Sequence, residues 1–197
     1  MSKVLKLAAV AACLAFGAGA ANAQGAGVSC DAPADVCQRV TGFLTSNVKP
    51  WTGDPILVNA VTTQDTANAK LSTADIEKLD ASWTSKSDQN LINSKLNNDL
   101  ATFLKAKKAA ANGVINDILV FDDKGLNVAQ TDMTQDYNQA DEAKYSKTFG
   151  VGPDAIYIDK ITSQGGKNAL QANMTVKNAS NKAIGAMTVG INTDALK

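Results

Sequence analysis

The spacing of apolar residues changes near Asn112-Gly113, and that change most restricts what this chain can build. Upstream, apolar side chains recur every three or four residues, as on one helix face. Downstream they alternate, as on one strand face. Asp54-Pro55 supplies an N-cap followed by proline at the first helical position, and Ile56, Val58, Ala60 and Val61 begin a helix running towards Lys70. Ser72-Thr73-Ala74-Asp75 reads as a capping box with Asp in place of Glu, opening a second helix on which Ile76, Leu79 and Trp83 share a face. A third helix is predicted from Asp88 to Ala111, with Ile92, Leu96, Leu100, Phe103 and Leu104 as its apolar stripe. The stripe is read as core packing.

The second half begins with a hairpin. Val114 to Phe121 and Leu126 to Ala129 flank Asp122-Asp123-Lys124-Gly125, where glycine ends the turn in the left-handed region. Ala155 to Ile161, Leu170 to Val176 and Ile184 to Ile191 follow as strands, the last two joined by the turn-prone Asn178-Ala179-Ser180-Asn181. Short connections make the five strands antiparallel. Between the second and third strands lies a polar stretch, Thr131 to Pro153, with a short helix around Asp141 to Thr148. The expected fold class is therefore α+β, N-terminal helices packed on a five-stranded antiparallel sheet.

The N-terminus decides the compartment. Lys3 and Lys6, an apolar run from Leu7 to Ala20 and Ala21-Asn22-Ala23 make a secretory signal, too short to span a bilayer. Val10-Ala11-Ala12-Cys13 loosely resembles a lipoprotein box but leaves a very short apolar segment before the cut. The expected organisation is a signal over 1–23, a flexible leader over 24–34 and one domain over 35–197, periplasmic or secreted and not membrane-spanning. Cys30 and Cys37 remain after cleavage, and an even pair in an oxidising compartment predicts a disulfide.

Composition removes most chemistry. Lys plus Arg equals Asp plus Glu at 19 each, so no basic field favours nucleic acid. There is no histidine, which excludes Ser-His-Asp and Cys-His systems and histidine metal sites. Arg39 is the single arginine. The chain is read as a non-enzyme without a cofactor. Asp122-Asp123 belong to a turn rather than a glycosidase pair, and Gly165-Gly166-Lys167 is a hairpin turn rather than a phosphate loop.

Helices, then a hairpin, a helical crossover and a three-strand meander, all behind a signal, resemble the Cache family of PAS-like extracytoplasmic sensor domains. The residues carrying this are Asn116-Asp117-Ile118-Leu119-Val120-Phe121-Asp122-Asp123-Lys124-Gly125-Leu126-Asn127-Val128-Ala129-Gln130-Thr131 and Thr134-Gln135-Asp136-Tyr137-Asn138-Gln139-Ala140-Asp141-Glu142-Ala143-Lys144-Tyr145. Upstream, Asp54-Pro55-Ile56-Leu57-Val58-Asn59-Ala60-Val61 and Leu79-Asp80-Ala81-Ser82-Trp83 look like the helical layer of a single-Cache domain. The resemblance implies a small-molecule ligand held between the sheet and its overlying loops. Family members are usually flanked by membrane helices and joined to output domains, so reporting would pass through a separate membrane-bound partner. Amino-acid-binding members use an arginine for the ligand carboxylate, and no arginine lies in this sheet half.

Candidate ligand-binding residues are Asp132, Tyr137, Asp141, Lys144, Tyr145, Tyr157 and Asp159. Tyrosine offers both an aromatic wall and a polar tip; Tyr137 and Tyr145 either line a pocket or pack half-buried. The acids could hold an ammonium group, although Asp136 and Glu142 read more simply as solvated loop charge. Lys144 is either a point charge for a ligand or a surface partner of Asp141. Tyr157 and Asp159 share a strand face and could close the other side. The alternative function is a protein-binding or scaffold module without a pocket.

Overall fold

The computed structural model describes residues 27–164 and 166–197. The expected signal over 1–23 lies outside them, as does the beginning of the expected leader. The rest of that leader is ordered into the domain: Val28–Cys30 forms a strand (β1) pairing in parallel with Ile156–Ile158 (β4). Its backbone finds partners on an otherwise open sheet edge, which outweighs the tendency of a chain terminus to stay flexible. The Cys30–Cys37 disulfide forms as expected and ties β1 to the first helix, α1 (Ala34–Phe43). Closing so short a loop contributes about 2 kcal/mol in the chain-entropy model.

Helix α1 was not predicted. Its buried residues Val36 and Val40 continue into Leu44 and Val48, one per turn, through the irregular helical segments over 44–53. Helix α2 (Pro55–Asn68) starts as expected, with the Asp54 side chain accepting from the Ile56 N–H. Helix α3 (Thr73–Thr84) has the Ser72–Asp75 capping box with both reciprocal bonds present. The single helix expected over 88–111 is two, α4 (Gln89–Leu96) and α5 (Asp99–Ala110). The Asn98 side chain caps the second by accepting from the Ala101 N–H, and this local bond breaks the run although the apolar stripe continues across it.

The sheet holds the five expected strands plus β1 and a short β5, making seven strands of mixed direction rather than five antiparallel ones. Its order is β1-β4-β6-β7-β2-β3, with β2 at Ile115–Asp122, β3 at Asn127–Gln130, β6 at Lys167–Lys177 and β7 at Ala183–Asn192. β5 (Thr162–Gln164) pairs antiparallel with β6. Gly125 closes the β2–β3 hairpin at φ 80°, as the turn chemistry required.

The two faces of the sheet differ. Ile118 and Val120 on β2, Met187 and Val189 on β7 and Ala172 and Met174 on β6 pack with Leu57, Val61, Leu100 and Leu104 of the helices to form the main core. The opposite face is covered by the crossover between β3 and β4, which carries a one-turn helix, α6 (Ala143–Ser146). Leu119, Phe121 and Ala186 pack there against Tyr145 and Phe149. Beside them lies a buried polar row in which the Thr188 hydroxyl donates to Asn173 Oδ1 (2.7 Å) and Asn173 Nδ2 donates to the Tyr157 carbonyl (3.0 Å). No described helix is long and apolar enough to cross a membrane.

Candidate functional site

Strand alternation places Asp117 of β2, Gln171 of β6 and Gly190 of β7 on the crossover face, and the sheet register sets Asp117 opposite Gly190 and Gly190 opposite Gln171. The crossover does not close over this end of the sheet. It leaves one cleft of about 410 Å³, bordered by Asp117, Gln171, Asp132, Gln139, Glu142 and Lys144, and an adjoining one of about 440 Å³ that reaches Asp159, Lys160 and Lys167. Asp117, Glu142 and Gln171 border both.

The charges around this junction are unequally satisfied. Lys144 is buried, its Nζ donating to Gln139 Oε1 at 3.0 Å and pairing with Glu142 Oε2 at 3.2 Å. Asp132 pairs with Lys108 at 2.6 Å and accepts from the Thr131 hydroxyl. Partial burial pushes the Asp132 carboxyl up, but those bonds outweigh it and leave the group below the ordinary range. Asp117 is different: burial first, and then the Asp132 charge, hold its carboxyl above the ordinary range, and among the described residues nothing donates to it.

The structure divides the seven expected residues. Asp132 and Lys144 border the first cleft and Asp159 the second. Asp141 is exposed. Tyr137 is buried in a separate cluster with Trp83, Ile92 and Leu126, its ring 5.6 Å from Trp83, and burial raises its hydroxyl pKa. Tyr145 packs on Phe121 and Phe149 and donates to the Asp123 carbonyl at 2.7 Å. Tyr157 is buried beneath Lys147, with its hydroxyl 2.9 Å from Asp31 and 3.0 Å from Asp159; burial, then Asp31, pushes it up to about 12. All three tyrosines are packing and anchoring groups here. Asp117, Gln171 and Gly190 were missed, and Glu142 was read as solvated charge. The available signal was a carboxylate sharing a strand face with Leu119 and Phe121.

A second group of acids lies at the hairpin, where Asp65, Asp122 and Asp123 offer oxygens within 4.8 Å of one another. Asp122 already accepts from four N–H donors, so its oxygens are spent within the fold. Asp65 accepts from the Asp123 N–H, but burial, with Asp123 and Asp122 nearby, pushes its carboxyl up to about 7. A carboxyl raised on folding stabilises below its unfolded pKa and loses that contribution as pH rises through the folded value. The contribution of Asp65 therefore falls between about pH 4 and pH 7. Asp65→Asn is expected to raise Tm at pH 8 by about 1–3 °C and to change it little at pH 4, the effect kept small by solvent screening. Thermal unfolding at the two pH values checks this, and equal shifts at both would remove the titration as cause.

The order of helices, hairpin, helical crossover and meander is the one expected, and the last strand of the meander returns to pair with the first strand of the hairpin. No family model and no curated protein matches the chain. Among solved structures, the chain is similar to the sensor domain of the V. cholerae histidine kinase DctB, at 12% identity and TM-score 0.36, covering 83% of this chain and 58% of that one. It is also similar to the ligand-binding domain of the Pseudomonas aeruginosa PAO1 amino acid chemoreceptor PctC in complex with GABA, at 13% identity and TM-score 0.36, covering 71% and 58%. The sensory domain of the Campylobacter jejuni chemoreceptor Tlp3 matches at 13% identity and TM-score 0.40, covering 79% and 64%. The chain thus spans less than two thirds of each of these structures.

Proposed function

We propose that this chain is an extracytoplasmic sensor domain that binds a small organic ligand in the joined clefts and reports occupancy through a separate membrane-bound partner. The observation that carries the reading is the junction at Asp117, Glu142 and Gln171, where two clefts of about 410 and 440 Å³ meet under an incompletely closed crossover. Such volumes suit a metabolite, and a few convergent polar groups are what fixes its orientation. The Cys30–Cys37 disulfide fits an oxidising compartment.

Thermal unfolding across organic acids, amines, nucleobases, amino acids and divalent ions tests the binding half. A ligand at 100 times its Kd stabilises by about 2.7 kcal/mol, which raises Tm by roughly 5–10 °C in a domain of this size. A flat panel, repeated on protein unfolded and refolded to strip carried ligand, would overturn it. Pull-downs from membranes with and without the hit test the reporting half, which falls if no membrane protein is recovered in either state.

A further inference from the structure

The geometry points to Asp117, lying across Gly190, as the receptor for the ammonium group of an organic amine that carries no carboxylate. This rests on the joined clefts being the ligand site and adds the chemical class.

Three observations lead there. The first is the cradle. A Cβ on Gly190 would stand 2.6 Å from Asp117 Oδ2 and 2.8 Å from Oδ1, so the carboxylate occupies the space that any side chain on β7 would fill. Glycine leaves that room, and the carboxylate lies over the strand at the junction of the clefts. The second is the missing partner. A carboxylate half withdrawn from water on a strand face commonly accepts hydrogen bonds from its surroundings, as the fully buried Asp122 does four times over in this same molecule. Asp117 has none among the described residues, and the amide of Gln171, its neighbour across Gly190, has none either. A ligand bringing N–H donors and a positive charge completes both, with charge-assisted bonds of the stronger kind.

The third observation concerns the opposite end of a ligand. A carboxylate would need an uncommitted cation, and Lys144, the buried lysine of the cleft, is already neutralised by Glu142 and held by Gln139. Lys160 and Lys167 are exposed and hydrated. Arg39 is turned to Asp35 and the Leu196 carbonyl at the other end of the chain. Around the junction, Asp132 and Glu142 are each paired with a lysine, while Asp136 and Asp159 form no salt bridge among the described residues and add to the negative charge of Asp117. A carboxylate entering this field is repelled, whereas an ammonium is attracted.

Isothermal titration with butylamine, 4-aminobutanoate and butanoate, matched in carbon number, separates the possibilities. Butylamine is expected to bind at least tenfold more tightly than the other two. Asp117→Asn is expected to weaken it at least tenfold, and Gly190→Ala, which displaces the carboxylate, to weaken it comparably. Glu77→Gln, at an exposed position of α3 away from both clefts, should leave it unchanged. Because Asp117 holds no hydrogen bond within the described protein, Asp117→Asn should fold with an unchanged or higher Tm, so a loss of binding is read on folded protein. Tighter binding of butanoate or 4-aminobutanoate overturns the amine assignment and leaves the cleft reading standing. Equal binding of butylamine to wild type and Asp117→Asn overturns the role of Asp117. If none of the three binds while another compound of the wider panel does, the amine class falls alone; if the wider panel is also flat, both readings fall.

Discussion

Asp122→Ala is expected to cost about 3–5 kcal/mol of stability, lowering Tm by roughly 6–15 °C. The carboxylate is fully buried at the end of β2, where four donors converge on it. Gln64 Nε2 (2.9 Å) and Asn68 Nδ2 (2.8 Å) reach it from α2, and the Lys124 (3.0 Å) and Leu126 (2.8 Å) N–H groups from the turn. Removing the acceptor leaves backbone donors of a tight turn without a partner and cuts the polar tie between α2 and the hairpin. An orphaned buried donor costs more than a hydrogen bond gains, because water cannot enter to replace the acceptor. Asp122→Asn keeps one acceptor for the turn but presents an NH2 group to another donor, so about half the loss is expected. Chemical denaturation of the three proteins measures this. A loss below about 1 kcal/mol for alanine would mean the turn finds other acceptors and the carboxylate is not its organiser.

The same residue illustrates what the sequence could convey. Asp122-Asp123-Lys124-Gly125 was legible as a hairpin turn because glycine and aspartate act locally. That Asp122 would also anchor α2 depended on residues brought together only by the tertiary fold. The helical half was legible wherever a cap and a stripe agreed, as at Asp54-Pro55 and Ser72. It was misread at Asn98, where a capping residue interrupts a stripe that otherwise runs on, and over Ala34–Phe43, where one buried apolar residue per turn was too sparse to suggest a helix. Strand alternation was the most informative signal, since it gave both faces of β2, β6 and β7. The contents of the crossover were the least legible. Its tyrosines, Tyr137 and Tyr145, could either line a pocket or pack half-buried, and each is held by a group distant in sequence, Trp83 or Phe121, as Tyr157 on β4 is by Asp31. Asp117 needed the register with Gly190, which no local pattern states.

The energetic consequence is that the cleft stands on a rigid floor with a wall pinned from outside. Leu119 and Gln171 belong to paired strands, whereas residues 132–136 belong to a crossover with little regular structure of its own. Helix α3 holds that wall at adjacent points. Asp80 Oδ1 accepts from the Tyr137 and Asn138 N–H groups at 2.8 and 2.9 Å, and Trp83 Nε1 donates to the Thr134 carbonyl at 3.0 Å.

Trp83→Ala should therefore do two things. It should remove about 3–5 kcal/mol, the usual cost of emptying a fully buried tryptophan site, because the cavity would open between α3, Ile92 and Tyr137 where no neighbour is free to collapse into it. It should also loosen the crossover selectively, since the Thr134 carbonyl loses its donor and the Tyr137 ring its support. Hydrogen exchange should then speed at amides over 134–140 by more than at those of β6 and β7, which the rest of the core still protects. Trp83→Phe separates the two effects: it restores most of the volume and recovers part of the stability, but leaves the carbonyl without its indole donor. Exchange in the crossover should remain faster than in wild type even after stability is largely regained. Uniform acceleration across strands and crossover alike in both variants would show that Trp83 supports the fold as a whole and does not specifically fix the wall of the cleft.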